Sequence, residues 1–103
     1  MKVKVKKNTN FLSINKIYDV ISIEYDCFRI LNDQGEPILY PTNLFEIVDN
    51  RVQKDWIVDI DEDDGSIEYI GPEIFNNYFF EDYFDGNENI KNKFNKWLKQ
   101  KIE

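Results

Sequence analysis

A chain of 103 residues, 42% of them apolar and 16% aromatic, has the material for one hydrophobic core, so a single domain over 1–103 is expected. Its 20 carboxylates against 13 cations give a net charge of −7, and the lack of histidine removes the usual general base near neutral pH and the commonest metal ligand. One cysteine allows no internal disulfide, which suits a reducing cytoplasm, and no apolar run approaches a membrane span.

The charge is unevenly placed. From Asp19 to Glu88 there are 19 acidic side chains against three basic ones (Arg29, Arg51 and Lys54), a net of −16, while five lysines precede and five follow this stretch. Such a middle repels phosphate and anionic lipid, and attracts a basic protein surface.

Met1 to Asn10 alternates Val with Lys at the period of a half-exposed strand, whose lysines would discourage edge pairing at the rim of a sheet. The basic start is followed by no apolar segment of the kind a secretory signal carries. Phe11 to Lys16 reads as a loop, with Phe11 and Leu12 tucked under the sheet. Tyr18 to Ile23 is an extended run rich in β-branched residues, and Cys27 to Leu31 follows with Phe28 and Ile30 on one face. Asn32-Asp33-Gln34-Gly35 supplies a turn, because Gly takes the positive φ of a tight reversal. Ile38-Leu39-Tyr40 returns as a strand with Pro37 at its entrance, where a missing N–H is tolerated. Pro41-Thr42-Asn43-Leu44 is short and turn-rich, which fits one 3₁₀ turn, and Phe45 to Val48 closes the series as a strand.

This order over residues 11–49, carried by KIYDV, FRILNDQGE and LYPTNLFEIVD, resembles an SH3-like small-barrel domain of the kind common in small Bacillus-group and phage proteins of unknown function. The resemblance implies a small antiparallel β-barrel. It implies no peptide-binding residue, because Pro41-Thr42-Asn43-Leu44 stands where the Pro-x-x-Tyr turn of peptide-binding SH3 domains would fall and no Trp lies between Ile17 and Asp49.

Asn50 to Gln53 is a polar link between the barrel strands (1–49) and a further hairpin (50–70). Trp56 to Ile60 and Ser66 to Ile70 are its strands, joined by the acidic turn Asp61-Glu62-Asp63-Asp64-Gly65. Counted as a calcium loop from Asp59, this turn puts Gly65 at position seven and Ile70 at position twelve, so it lacks both the glycine at six and the glutamate at twelve. No metal site is expected.

Residues 71–103 read as a helical extension. Gly71-Pro72-Glu73 is a helix start signal, and Ile74, Phe75, Tyr78, Phe79 and Tyr83 follow at helical spacing until Asp85-Gly86-Asn87 breaks the run. Glu88 to Gln100 is an amphipathic helix with Ile90, Phe94, Trp97 and Leu98 on one stripe.

No catalytic residue is expected. Cys27 sits mid-strand with no histidine to activate it, and the four glycines stand singly in turns, so no phosphate-cradling loop exists. The expectation is therefore an α+β chain: an SH3-like barrel, a hairpin, and one or two C-terminal helices packed on it. It would act without cofactor as an acidic cytosolic protein-binding module, of the inhibitor or immunity type, on a partner with a basic surface. The candidate contact residues are Asp61, Glu62, Asp63 and Asp64 at the hairpin tip, and Phe80, Glu81, Asp82, Phe84 and Asp85 further on. The alternative is a nucleic-acid-binding barrel using the lysines of Met1 to Lys7 and Lys91 to Lys101, and the chain is expected as monomer or homodimer.

Overall fold

Among the described residues, short runs of β-branched and aromatic residues become seven strands: β1 (Lys2–Val5), β2 (Ile17–Glu24), β3 (Cys27–Leu31), β4 (Pro37–Pro41), β5 (Phe45–Asp49), β6 (Trp56–Ile60) and β7 (Ile67–Pro72). Helices α1 (Phe79–Phe84) and α2 (Glu88–Lys101) follow, giving an α+β chain. The computed structural model describes residues 1–76 and 78–101. The chain divides into two compact units, Met1–Glu73 and Ile74–Glu103.

In the first unit all strand pairs are antiparallel, along the path β4-β3-β2-β1-β5, with β7 paired to β2 and β6 to β7. The length of β2 makes the branch possible. Its first residues pair with β1 (Lys2 opposite Asp19) and its last with β7 (Ile23 opposite Ile70), and a bulge between Val20 and Ser22 bends the strand between them.

The structure corrects two expectations here. The sheet is not closed into a barrel: β4 and β5 end the path, joined by the 3₁₀ turn Thr42–Leu44 and, among the described residues, by no ladder. Side chains fill that seam, with Phe45 in edge contact with Phe28 (5.7 Å between centroids) and Tyr40 (6.4 Å). And β1 is no rim strand, since it lies between β2 and β5. Lys2 within it and Lys6 just beyond it meet carboxylates on the flanking strands, Asp19 and Glu46, both at 3.4 Å.

Alternate residues of these strands make the core: Val3, Val5, Tyr18, Val20, Phe28, Ile30 and Tyr40, joined by Leu12 from the β1–β2 loop. Each buried aliphatic or aromatic side chain contributes about 1.5–3 kcal/mol relative to exposure. Leu12 is tucked in as expected, but Phe11 is exposed. Its φ of 66° turns the side chain outward, while its carbonyl accepts the amide of Asp33 at 2.8 Å.

The β6–β7 hairpin takes in Gly71 and Pro72, which are strand and not a helix start, because Ile57 pairs with Gly71 and Trp56 with Pro72. Proline is tolerated there as the last residue of the strand. Gly71 answers a close approach: a Cβ at this position would lie 2.7 Å from Tyr69 Oη and 2.8 Å from Ser22 Cβ. The Tyr69 hydroxyl donates to the Pro72 carbonyl, and burial, then the nearby Glu24 charge, pushes its pKa up and keeps that proton in place. Gly71→Ala is expected to destabilise the first unit by about 1–3 kcal/mol through overpacking, read as a lower urea midpoint at unchanged slope.

In the second unit the expected continuous helix over 74–83 is interrupted. A 3₁₀ turn (Glu73–Phe75) precedes α1, and Tyr78, with φ of 63°, turns the chain between them. Asn77, inside the expected helix, lies outside the described residues. Asp85-Gly86-Asn87 ends α1 as expected, Gly86 at φ of 89°, and Asn87 Oδ1 caps α2 by accepting the Ile90 amide at 3.2 Å. Aromatic rings fill this unit: Phe75 lies 5.0 Å from both Phe79 and Phe80 and 4.7 Å from Trp97, and Phe94 lies 5.4 Å from Tyr83.

Candidate interaction site

The two strands of the hairpin lift Asp61-Glu62-Asp63-Asp64-Gly65 to their far end, and the four carboxylates divide into two kinds. Asp61 and Asp64 build the turn. Asp61 Oδ1 accepts the amides of Asp63 (2.8 Å) and Asp64 (3.2 Å), and Asp64 Oδ1 accepts that of Ser66 (2.8 Å). Backbone bonds from Asp61 N to Ser66 O (2.8 Å) and Gly65 N to Asp61 O (2.9 Å) close it, with Gly65 at φ of 73°. The amide of Asp63 first, then that of Asp64, holds the Asp61 carboxyl below its ordinary pKa, and Ser66 does the same for Asp64. Glu68 is pushed up, first by its hydrogen bond with Asp61 and then by desolvation and the surrounding acids. Glu62 and Asp63 are different. Both side chains are exposed and, among the described residues, engage no partner.

Beside this tip the hairpin shows solvent an apolar face. Val58 is 53% exposed, Ile60 56%, and Ile67, opposite Ile60, 46%. Val58 and Ile60 alternate with Asp59 along β6 and so share one side of the hairpin.

The second predicted segment belongs to the other unit. Glu81 and Asp82 are exposed in the first turn of α1, and Asp85 is exposed just beyond its end. Phe84 is exposed against Tyr83 (5.0 Å), but Phe80 is only 6% exposed and lies among Phe75, Phe79 and Phe94. Its ring packs within the unit.

Two polar clusters were not singled out in the sequence. Asp33 ties the β3–β4 turn to the β1–β2 loop, accepting from Tyr18 Oη (2.7 Å), Ser13 Oγ (2.7 Å) and Lys16 Nζ (3.1 Å). The second joins β2 to β3: Arg29 donates to both carboxylate oxygens of Glu24 (2.7 and 3.1 Å) and to the Pro37 carbonyl (2.8 Å), and Ser22 Oγ donates to Glu24 at 2.9 Å. Ser22 and Arg29 are buried. Polar side chains in the middle of apolar strands are the signal that could have found this cluster.

The Asp33 hydrogen bonds make a pH prediction. The Ser13 hydroxyl first, then Tyr18, holds the Asp33 carboxyl below its ordinary pKa. A depressed carboxylate contributes stability that is present above its unfolded value, about 4, and is lost as pH falls through the lower folded value. Asp33→Asn should therefore lower the melting temperature near neutral pH and narrow the gap to the wild type in acid, as thermal melts between about pH 2 and pH 7 would register.

Cations of the first unit are largely engaged at home. Lys2, Lys6 and Lys16 pair with Asp19, Glu46 and Asp33, and Arg51 meets Asp49 at 2.6 Å beside an open depression of about 500 Å³ lined by Ile47 to Arg51. The lysines of α2 belong to the other unit, where Lys91 lies over the Tyr83 ring. Among the described residues no three acidic or thiol side chains gather in a metal-binding arrangement, Cys27 is a half-buried thiol, and no helix is long and apolar enough to cross a membrane.

Comparison with known proteins gives no family to which the chain can be joined: no family model, no curated protein and no solved structure matches it.

Proposed function

We propose that the chain is a non-catalytic, cytoplasmic protein-binding module that presents the β6–β7 tip to a basic protein surface, acting as an inhibitor or immunity-type protein. The observation that carries the reading is the division of labour at the tip. Asp61 and Asp64 spend their oxygens on the turn, and Glu62 and Asp63 are held outward with their charge unspent. The adjoining Val58, Ile60 and Ile67 supply apolar surface that charge alone lacks, and charges around an apolar patch are a usual composition for a protein interface. The pairing of Lys2, Lys6 and Lys16 with carboxylates leaves less positive charge for a nucleic acid. The likeness to SH3-like domains belongs to the same reading, and the strand path β5-β1-β2-β3-β4 with a 3₁₀ turn between β4 and β5 supports it.

The test uses the wild type and the double variant Glu62→Lys/Asp63→Lys side by side as bait in lysate of the source. These two positions reverse the charge and leave the turn's hydrogen bonds intact. The expected result is a basic protein retained by the wild type at low salt, released at high salt, and bound at least about tenfold more weakly by the variant at low salt. Equal retention of every protein by both baits would end this reading.

A further inference from the structure

We propose that the chain forms a two-fold dimer in which the outer edge of β6 pairs antiparallel with β6 of a second copy, in register about Val58. This goes beyond the basic-partner reading: it shares Glu62 and the Val58, Ile60 and Ile67 surface with that reading but rests on the edge of β6. Three strands end the sheet's branches: β4, β5 and β6. A strand edge left unpaired is a template for another strand unless prolines, bulges or charges blunt it. β4 begins and ends with proline, Pro37 and Pro41. β5 carries an extra residue against β1, so that Lys2 faces Asp49 and Val3 faces Ile47. β6 (WIVDI) has no proline, the register shift in its ladder between Asp59 and Ile60 places the extra residue, Glu68, on β7, and Asp59 is its one charged residue.

The second copy is chosen by parity and charge. Residues directly opposite in an antiparallel pair share a face, so the apolar side of one β6 continues into the other only when even-numbered residues meet even-numbered ones. Register about Val58 does this, setting Val58 against Val58 and Trp56 against Ile60. It joins the exposed Val58 and Ile60 of both copies, with Ile67 alongside, into one apolar surface. The same register brings Lys54, just before β6, toward Glu62 of the second copy, and does so twice by symmetry. The same register sets Asp55 against Asp61, also twice, and the Asp61 carboxylate is turned onto the amides of Asp63 and Asp64. Lys54 precedes the strand and Glu62 follows it, and antiparallel pairing is the arrangement that brings these two together.

The experiment is sedimentation equilibrium of the full chain across a concentration series, with cysteine cross-linking to fix the register. The wild type should show a concentration-dependent dimer. Val58→Lys places two like charges on the symmetry axis and should raise the dissociation constant at least about a hundredfold with an unchanged far-UV spectrum. Lys54→Glu should weaken the dimer and Lys54→Glu/Glu62→Lys restore it. In a Cys27→Ser background, Val58→Cys should oxidise to a disulfide dimer far faster than Ile57→Cys or Ile47→Cys. A wild type that stays monomeric throughout, a dimer untouched by Val58→Lys, or preferential cross-linking through Ile47→Cys on β5 would each overturn the proposal. Sedimentation is read on the purified chain with no basic partner present, so loss of the dimer is distinguishable from loss of that partner.

Discussion

Replacing Arg29 with Met is expected to remove about 3–5 kcal/mol of stability, the largest loss of any single polar substitution in the first unit. The Arg29 and Glu24 side chains are 8% and 21% exposed, and the guanidinium grips the carboxylate with two hydrogen bonds while a third reaches the Pro37 carbonyl. Without it, Glu24 keeps Ser22 as a donor but loses its counter-charge in a poorly solvated place, and the Pro37 carbonyl loses the Arg29 donor. The cost comes from the stranded charge more than from the lost attraction, which makes a second prediction of sign. Glu24→Leu added to Arg29→Met should recover most of the loss, since an ion pair replaced by apolar groups of similar size is often neutral. Urea titrations of the two singles and the double close this cycle. A single-variant cost under about 1 kcal/mol would mean that the pair is solvated in solution and contributes as a surface bridge does.

Phe94→Ala should be as damaging in the second unit, at about 3–5 kcal/mol. Phe94 is 1% exposed, and the rings of Phe75, Phe80, Tyr83 and Trp97 surround it at centroid distances between 5.4 and 6.3 Å. Neither helix can stand alone. α1 has 6 residues and α2 has 14, and isolated helices of up to about 12–15 residues are marginal in water. Their helicity therefore depends on this ring cluster. The expected readout is a large loss of ellipticity at 222 nm and of amide protection across α2, with Phe94→Leu costing much less because most of the volume remains. Protection of α2 unchanged in Phe94→Ala would show that the helix draws its stability from elsewhere.

Local chemistry was readable in the sequence, and long-range partnership was not. Cys27 to Leu31 and Trp56 to Ile60 are strands over the bounds their residue types suggest, the 3₁₀ turn before Phe45 is present, and α2 runs one residue past Gln100. Each of these is specified by its own side chains and turn residues. The misplaced elements had their fate decided by neighbours distant in sequence. Gly71-Pro72 carries a good helix start, but pairing with Ile57 and Trp56 holds it in the sheet. The Val-Lys alternation of β1 says strand and says nothing about which strands flank it. Tyr25, at φ of 55°, is a poor turn residue on local grounds, and its amide is bonded to the Glu68 carbonyl, far along the chain. The acidic tip was legible as composition. That Asp61 and Asp64 are spent on the turn while Glu62 and Asp63 are not depends on backbone geometry that composition does not carry.

The position of β1 has a consequence for how the molecule is made. Val3 and Val5 belong to the core, and β1 pairs on one side with Ile17–Asp19 and on the other with Phe45–Asp49. β1 is thus an interior strand whose second neighbour is delivered forty or more residues later in the chain. Until then a newly made β1–β2–β3 meander has one side of β1 uncovered, and closing that long loop is a slow, entropy-limited step. Folding of the first unit is expected to wait until β5 has been made, with nascent chains that stop short of Asp49 prone to recruit chaperones or each other.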